Sequence, residues 1–330
     1  MRPDFVVAEA HPSLALVKYW GKQGGGVNIP ATSSLAVTLG DLTTTTRCTA
    51  AGRDRVVING VEQPAQRFEQ FFSHLRQCLR DRDLAPPDGF NVESTNTFPT
   101  AAGLASSASG FAALTVAAAG LTGHTMEDRP WLSEMARYGS GSAARSIYGG
   151  FTVWTAGAAA AAELQRDDWW PALRIVVAPI SGGTKPVSSR EAMNRTRDTA
   201  PNYSAWIADA ETLFIRAQRA LEGRDIEELG TVMRLSYLRM FSTMLAADPP
   251  VVFWLPNSVA AIHAVADLRR SGIPAWETMD AGPQVKVLTV EKHVDEVVSH
   301  LAPLCAQPPI VSRVGGAAKI VSRGLEEDGS

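Results

Sequence analysis

Apolar positions along this chain alternate between two repeats, and each change of repeat marks an element. Near the N-terminus "VVAEA" and "SLALVKYW" read as strands, and "SLAVTLGDLTTTTRCTA" is strand-rich through its β-branched residues. "DRVVINGVEQ" sets Asn-Gly between apolar runs, a strong hairpin signal. Over residues 65–82, Phe68, Phe71, Phe72, Leu75 and Leu79 recur at helical spacing and predict an amphipathic helix. "FNVESTN" predicts another strand, and from Leu104 to Leu121 the pattern turns helical with mostly small residues. A further helix over 131–138 runs into the glycine-rich "GSGSAARSIYGGF", after which "FTVW" and "LRIVVAPI" read as strands.

After Ile180 the composition changes. "SGGTKPVSSREAMNRTRDTAPNY" is polar, basic and turn-rich, as expected of an interdomain or active-site loop. Helical patterns follow over 204–222, 225–240 and 256–271. "AWETMDAGPQVKVLTV" reads as strand, turn, strand, and a helix over 293–302 precedes a final strand pair in "PPIVSRVGGAAKIVS". No internal repeat is visible. A division near residue 185 separates a sheet-and-helix first domain (1–185) from an α+β second domain (186–330).

Composition narrows the classes. With 330 residues, 45% hydrophobic and 20% charged, the chain reads as a soluble globular protein of one large or two ordinary domains. A net charge of -3 argues against nucleic acid as the main partner. Cys48, Cys78 and Cys305 have neither disulfide-framework nor zinc spacing, which suits a reducing cytosol. The N-terminus lacks the basic-then-apolar layout of a signal peptide. The uncharged run over 101–123 is Ala, Gly, Ser and Thr more than Leu, Ile or Phe, so it predicts a buried helix and not a membrane span. The expected location is the cytoplasm.

Several short stretches carry chemistry. In "PTAAGLASSASG", Gly103 permits unusual dihedrals and Ser106 and Ser107 stand where a helix would begin. Backbone N–H groups at such a start bind anions without a charged side chain, although a Ser-capped buried helix would look the same. No Gly-Lys-Ser/Thr follows, so this is not a Walker loop. "YGSGSAARSIYGG" contains G-x-G-x-x-A, but a dinucleotide fingerprint must follow a strand and "WLSEMARY" is helical. Ser140, Ser142 and Arg145 in that stretch nevertheless form an oxyanion-binding group, since a guanidinium forks onto phosphate or carboxylate. In "LVKYWGK", strand alternation would place Lys18, Trp20 and Lys22 on one face. "MDAGPQ" sets Asp280 before a Gly-Pro turn, and "NRTRDT" offers Arg195, Arg197 and Asp198. The histidines show no metal spacing. Each stretch has an ordinary structural explanation when taken separately; the full set in this order does not.

That set resembles the mevalonate-phosphate decarboxylases of the GHMP kinase superfamily. The runs that carry the resemblance are "VKYWGK", "NIPATSSLAVTL", "FPTAAGLASSASGFAAL", "GSGSAARSIYGGF", "KPVSSREAMNRTRDT" and "MDAGPQVKVL", which span nearly the whole chain in the family's order. The resemblance implies an α+β GHMP kinase fold with a ribosomal-protein-S5-like first domain and a ferredoxin-like second domain. It also implies ATP with Mg²⁺ bound in the cleft between them, and it suggests a homodimer. Asp280 matches the catalytic aspartate. Lys18 would neutralise transferring oxygens or orient Asp280, and Arg145 would clamp the substrate's C1 carboxylate. Gly103, Ala105, Ser106 and Ser107 match ATP-phosphate positions. Tyr19, Lys22, Ser140, Ser142 and Arg197 match positions that bind the substrate's phosphate end. Mg²⁺ would be held mainly by ATP phosphates, with Ser107 the side-chain candidate.

The implied reaction is ATP-dependent decarboxylation of a 5-phosphorylated mevalonate through transient 3-phosphorylation, in isoprenoid biosynthesis. Two departures from the family's pattern lean toward the monophosphate substrate, giving isopentenyl phosphate: Ser13 replaces a usual Asn, and "VGGAAKI" is unusually glycine-rich. Arg197 and the TRDT stretch instead resemble the enzymes that use mevalonate 5-diphosphate and give isopentenyl diphosphate. The remoter alternatives are a 3-kinase that stops before decarboxylation and a non-catalytic metabolite-binding protein.

Overall fold

The computed structural model describes residues 2–23, 28–98, 106–124, 126–183 and 187–324. In chain order the first half runs β1 (Phe5–Ala10), β2 (Ser13–Val17), β3 (Ser34–Thr38), β4 (Thr44–Ala51), β5 (Arg55–Ile58), β6 (Val61–Glu62), α1 (Glu69–Arg80), β7 (Gly89–Asn96), α2 (Ser106–Leu121), α3 (Arg129–Gly139), β8 (Phe151–Trp154), β9 (Ala162–Gln165) and β10 (Leu173–Ala178). The second half runs α4 (Ser189–Thr199), α5 (Tyr203–Glu222), α6 (Ile226–Leu245), α7 (Pro256–Arg270), β11 (Trp276–Met279), β12 (Val285–Val290), α8 (Val294–Leu301), β13 (Ile310–Ser312) and β14 (Lys319–Gly324).

These strands form three sheets: β14-β1-β4-β7-β5-β6, β2-β3-β8-β9 and β11-β12-β10-β13. In β1 the burial alternates strictly, so Val6, Ala8 and Ala10 face the core. That face meets α2, which is buried nearly all round and packs close because its residues are small. At Gly120 an added Cβ would lie 2.8 Å from Ile320 Cδ1. Asn59 and Gly60 both have positive φ (50° and 78°) and close the β5–β6 hairpin, as Asn-Gly predicts. β2 and β3 are buried on both faces. Leu14, Leu35 and Val37 share a core with Leu213 and Phe214 of α5 and Met233 of α6, so one hydrophobic cluster joins the two halves of the chain.

Several expectations change on folding. The helix expected over 65–82 is a 3₁₀ turn followed by α1, with Phe71, Phe72, Leu75 and Leu79 buried as the spacing requires. The polar stretch after Ile180 is not all loop. Ser188 caps α4 by accepting from Glu191 N–H at 3.2 Å, and Ala192, Met193 and Thr196 bury one helical face. The last strands do not pair with each other: β13 joins β10, while β14 returns to β1. Among the described residues no helix is long and apolar enough to cross a membrane.

The helix pair α5–α6 lies over β2 and β3, and α6 also packs against β11. A Cβ at Gly230 of α6 would stand 2.1 Å from Cγ of Trp276, at the root of the ring. Helix propensity alone favours Ala over Gly by about 1 kcal/mol. Overpacking a filled site costs about 1–3 kcal/mol, so the clash should prevail. Gly230→Ala is therefore expected to lower the midpoint of thermal unfolding, and an unchanged or raised midpoint would show that Trp276 can move aside.

Candidate active site

β2 stops at Val17, one residue before the first lysine. A register shift between Ala15 and Val17 breaks the ladder with β3. Lys18 N–H then donates to Ser236 Oγ of α6 at 2.9 Å in place of a strand partner. Strand alternation therefore does not extend through "KYWGK", and Lys18, Tyr19, Trp20 and Lys22 all line a single cleft of about 470 Å³. Tyr19, which alternation would send to the opposite face of a continued strand, joins them because the strand ends first.

At one end of the cleft Lys18 Nζ donates to Ala15 O at 2.8 Å and to Asp280 Oδ1 at 2.7 Å. Lys286 Nζ, from β12, lies 3.1 Å from Asp280 Oδ2. Both lysine side chains are buried, whereas the aspartate is 30% exposed, toward the cleft. Burial pulls Lys18 down to about 8, against the pull of Asp280 that holds its proton. For Asp280, burial works toward the neutral acid, but Lys18 and Lys286 together outweigh it and hold the carboxyl far below its ordinary value. The loop that carries Asp280 is pinned on both sides. Ser258 Oγ donates to Pro283 O at 2.7 Å, and Gln284 Oε1 accepts from Ile180 N–H at 2.6 Å.

Arg145 comes from the 3₁₀ turn Gly141–Ile147, which follows α3. Its Nη1 donates to Ser34 Oγ at 2.7 Å, its guanidinium stands 5.9 Å from the centroid of the Tyr19 ring, and its buried Nε has no partner. Burial lowers it to about 10, opposed by Asp280 and Tyr19. A buried guanidinium with no ion pair of its own among the described residues is ready for an incoming carboxylate or phosphate. Gly141 is required here, because a Cβ would lie 2.5 Å from Tyr19 Oη. That hydroxyl is buried without a partner.

The other end of the cleft is hydroxyl-rich and cationic. Ser107 Oγ lies 3.4 Å from Ser140 Oγ, which lies 3.1 Å from Ser142 Oγ. Lys22 Nζ donates to Asn28 Oδ1 at 2.6 Å, and Asn28 Nδ2 in turn donates to Arg137 O at 2.8 Å. Ser188, Ser189 and Arg190 bring the start of α4 to the same cleft. Lys22 is lowered to about 8 by burial, then by the nearby charges of Arg190 and Arg197.

The fold thus brings Lys18, Tyr19, Lys22, Ser107, Ser140, Ser142, Arg145 and Asp280 to one cleft. Arg197 does not line it: its guanidinium is taken by Asp198 at 2.7 and 3.1 Å, and Arg190 stands at the cleft instead. Ser106 is the first described residue of α2 and is not among the lining residues. Gly103 and Ala105 lie outside the described residues. Sequence reading missed Lys286, Arg190, Arg67, Asn28 and Ser34. Two of these left a signal: Lys286 is a lone charge in the apolar run "VKVLTV", and Ser188-x-x-Glu191 is the start signature of the helix that carries Arg190. Among the described residues no group of three or more His, Cys, Asp or Glu could hold a metal. This hydroxyl and cation set fits a metal that arrives on nucleotide phosphates better than one held in a protein cage.

One consequence can be measured without turnover. Because the Asp280 charge supports the Lys18 ammonium, Asp280→Asn should move the Lys18 titration below its value of about 8. Side-chain NMR of labelled lysine would show this; a titration that stays in place or rises would contradict the electrostatic pairing described above.

Comparison with known proteins identifies the family. Residues 10–164 match the diphosphomevalonate decarboxylase-like N-terminal domain family, and residues 175–322 match the mevalonate 5-diphosphate decarboxylase C-terminal domain family. The chain is 33% identical over 312 residues to diphosphomevalonate decarboxylase mvd1 of Aspergillus fumigatus, covering 86% of this chain and 76% of that protein. It is 32% identical over 320 residues to the human diphosphomevalonate decarboxylase, covering 89% and 79%. The crystal structure of mevalonate diphosphate decarboxylase from Staphylococcus aureus superposes with a TM-score of 0.88 at 32% identity, covering 97% of this chain and 98% of that one. A complex of MDDEF with MVAPP, AMPPCP and magnesium superposes with a TM-score of 0.86 at 34% identity, covering 96% and 99%. With both of its halves matched and its cleft built from the motifs first seen in the sequence, the chain belongs to the mevalonate diphosphate decarboxylase family, the ATP-dependent decarboxylases of the GHMP fold.

Proposed function

We propose that this protein decarboxylates mevalonate 5-diphosphate at the expense of ATP, giving isopentenyl diphosphate, CO₂, ADP and phosphate. One observation carries the reading: the cleft has two chemically distinct ends. Asp280 sits between buried lysines beside Arg145, whereas Lys22 and Arg190, close to each other and without acidic partners among the described residues, line the cleft with the serines. A substrate with a carboxylate and tertiary hydroxyl at one end and a highly charged diphosphate at the other fits that division.

The choice of diphosphate departs from the monophosphate lean drawn from Ser13 and "VGGAAKI". The family to which the chain belongs supports the diphosphate, and the positions of those two features remove their weight. Ser13 accepts from Ser146, the neighbour of Arg145, at 3.4 Å, so it sits with the carboxylate-binding group. The glycines of "VGGAAKI" serve a close crossing of chains: a Cβ at Gly315 would stand 2.4 Å from Gly40 Cα, and none of them lines the cleft.

The chemistry follows from the charges. Hydroxide is too poor a leaving group to depart from C3, so phosphorylation of the C3 oxygen by ATP makes departure feasible. When the C3–O bond breaks, its electron pair leaves with phosphate. The C1–C2 pair then fills the deficit at C3, forming the C2=C3 double bond as CO₂ departs. Arg145 holds the carboxylate so that the bond to be broken is aligned with the departing oxygen. Asp280, so strongly held as the anion, is a weak base. Its main work is to orient the C3 hydroxyl by accepting its hydrogen bond and to stabilise positive charge that develops at C3. Lys18 opposes the charge on the transferring phosphoryl oxygens. Mg²⁺ would supply neutralisation of the nucleotide phosphates, and Ser107, which lines the cleft, is the side chain that would meet it.

The direct test is a comparison of kcat/KM for mevalonate 5-diphosphate and mevalonate 5-phosphate with ATP and Mg²⁺, following CO₂ and ADP together. A strong preference for the diphosphate with equal amounts of CO₂ and ADP is expected. Preference for the monophosphate would overturn the substrate, and ADP without CO₂ would overturn the reaction. Arg190→Ala should raise KM for the diphosphate far more than Arg197→Ala does, because Arg197 is already engaged by Asp198. The profile of kcat/KM should fall as pH rises through about 8, where Lys18 and Lys22 lose their positive charge. Lys22→Arg, which keeps its charge at that pH, should leave only the part of the fall that belongs to Lys18.

A further inference from the structure

Lys286 is buried in β12 beside Asp280 yet is not among the residues that line the cleft. Its ammonium group has one charged partner among the described residues, the Oδ2 atom of Asp280 at 3.1 Å. It also belongs to the aspartate's own hairpin, where Thr278 of β11 pairs with Lys286. Lys18, by contrast, reaches Asp280 from the end of β2 in another sheet and does line the cleft.

We infer that Lys286 is a positioning residue for the reaction: it holds the Asp280 carboxylate in one orientation and in its ionised form, so that Lys18 can turn to the substrate.

Burying an ammonium group is unfavourable unless a charge or hydrogen bonds compensate it. As a stabilising device this pairing would be poor, because an apolar side chain of similar volume packs as well without the desolvation penalty. As a device for setting charge it does what no apolar residue can. Each carboxylate oxygen has more than one acceptor site, so Oδ1 and Oδ2 can serve the two lysines and still accept a substrate hydroxyl. The charged groups that face Asp280 are Lys18 from the end of β2, Lys286 from β12 and Arg145 from the 3₁₀ turn. Lys18 and Arg145 both have substrate groups to meet in the proposed reaction. Only Lys286 is free to remain with the aspartate throughout.

This inference rests on the proposed role of Asp280, so the test includes Asp280→Asn. Lys286→Met and Lys286→Arg are assayed in the full chain for kcat, KM and pH profile, with thermal unfolding followed in parallel. For Lys286→Met, kcat is expected to fall roughly 10- to 100-fold, the usual loss when an orienting group behind a reacting residue is removed. KM for the phosphorylated mevalonate should be nearly unchanged. The acid limb of kcat/KM should move to higher pH, since Asp280 is then less firmly held as the anion, and Lys286→Arg should move it back. A folded Lys286→Met protein with the parent's kcat and acid limb overturns the inference. If that variant does not fold, Lys286→Gln takes its place under the same criteria. Asp280→Asn separates the two readings: loss of turnover there, with Lys286→Met unaffected, overturns only the role of Lys286, whereas full turnover overturns the role of Asp280 and this one with it.

Discussion

The Asp280 carboxylate, shared between two buried ammonium groups, is the interaction around which the cleft is organised. Lys18 brings the end of β2 to it and Lys286 holds it from β12, so one side chain ties two sheets together. Losing one member of a buried ion pair costs about 3–5 kcal/mol, because a charge is left uncompensated away from water. The pairing therefore has consequences for structure as well as chemistry. It makes the aspartate a fixed anion and a weak base, which favours electrostatic and orienting work over full removal of a proton.

Helix α6 is the frame that lets this bridge form. Ser236 accepts the Lys18 N–H where β2 ends, Tyr237 donates to Glu277 on β11 at 3.2 Å, and Met240 lines the cleft. Glu277 is fully buried and neutralised by Arg234 and Arg269, each at 2.6 Å, so α6 and α7 are both locked to the strand that leads to Asp280. Below this, the continuous core from β2 and β3 to α5 and α6 leaves little freedom for the two halves to drift apart.

Charge is divided along the cleft by origin. Helix α2, which carries Ser107, contributes no cation among its described residues. Its contribution is hydroxyl and backbone dipole, which suits an anion that brings its own metal. The cations come instead from Lys22 after β2, Arg67 ahead of α1, Arg145 in the 3₁₀ turn and Arg190 at the start of α4, besides the paired Lys18. Because none of these four forms a salt bridge among the described residues, their charge remains available to a ligand instead of being spent within the fold.

What the sequence determined by itself was everything governed by near neighbours. The Phe68–Leu79 spacing placed the buried face of α1, and Asn59-Gly60 closed its hairpin. The motif order was also sufficient to collect most of the cleft. What it could not decide were matters settled by groups far along the chain. β2 ends before Lys18 because Ser236, 218 residues away, takes the next N–H. β14 leaves its neighbour β13, itself an edge strand, and pairs with β1 at the edge of another sheet. Arg197 is drawn off by Asp198 while Arg190 reaches the cleft, although both stand in one basic run. Periodicity reports which face of an element is buried; it carries no information about which distant group lies against that face, and at Asp280 that second fact sets the charge.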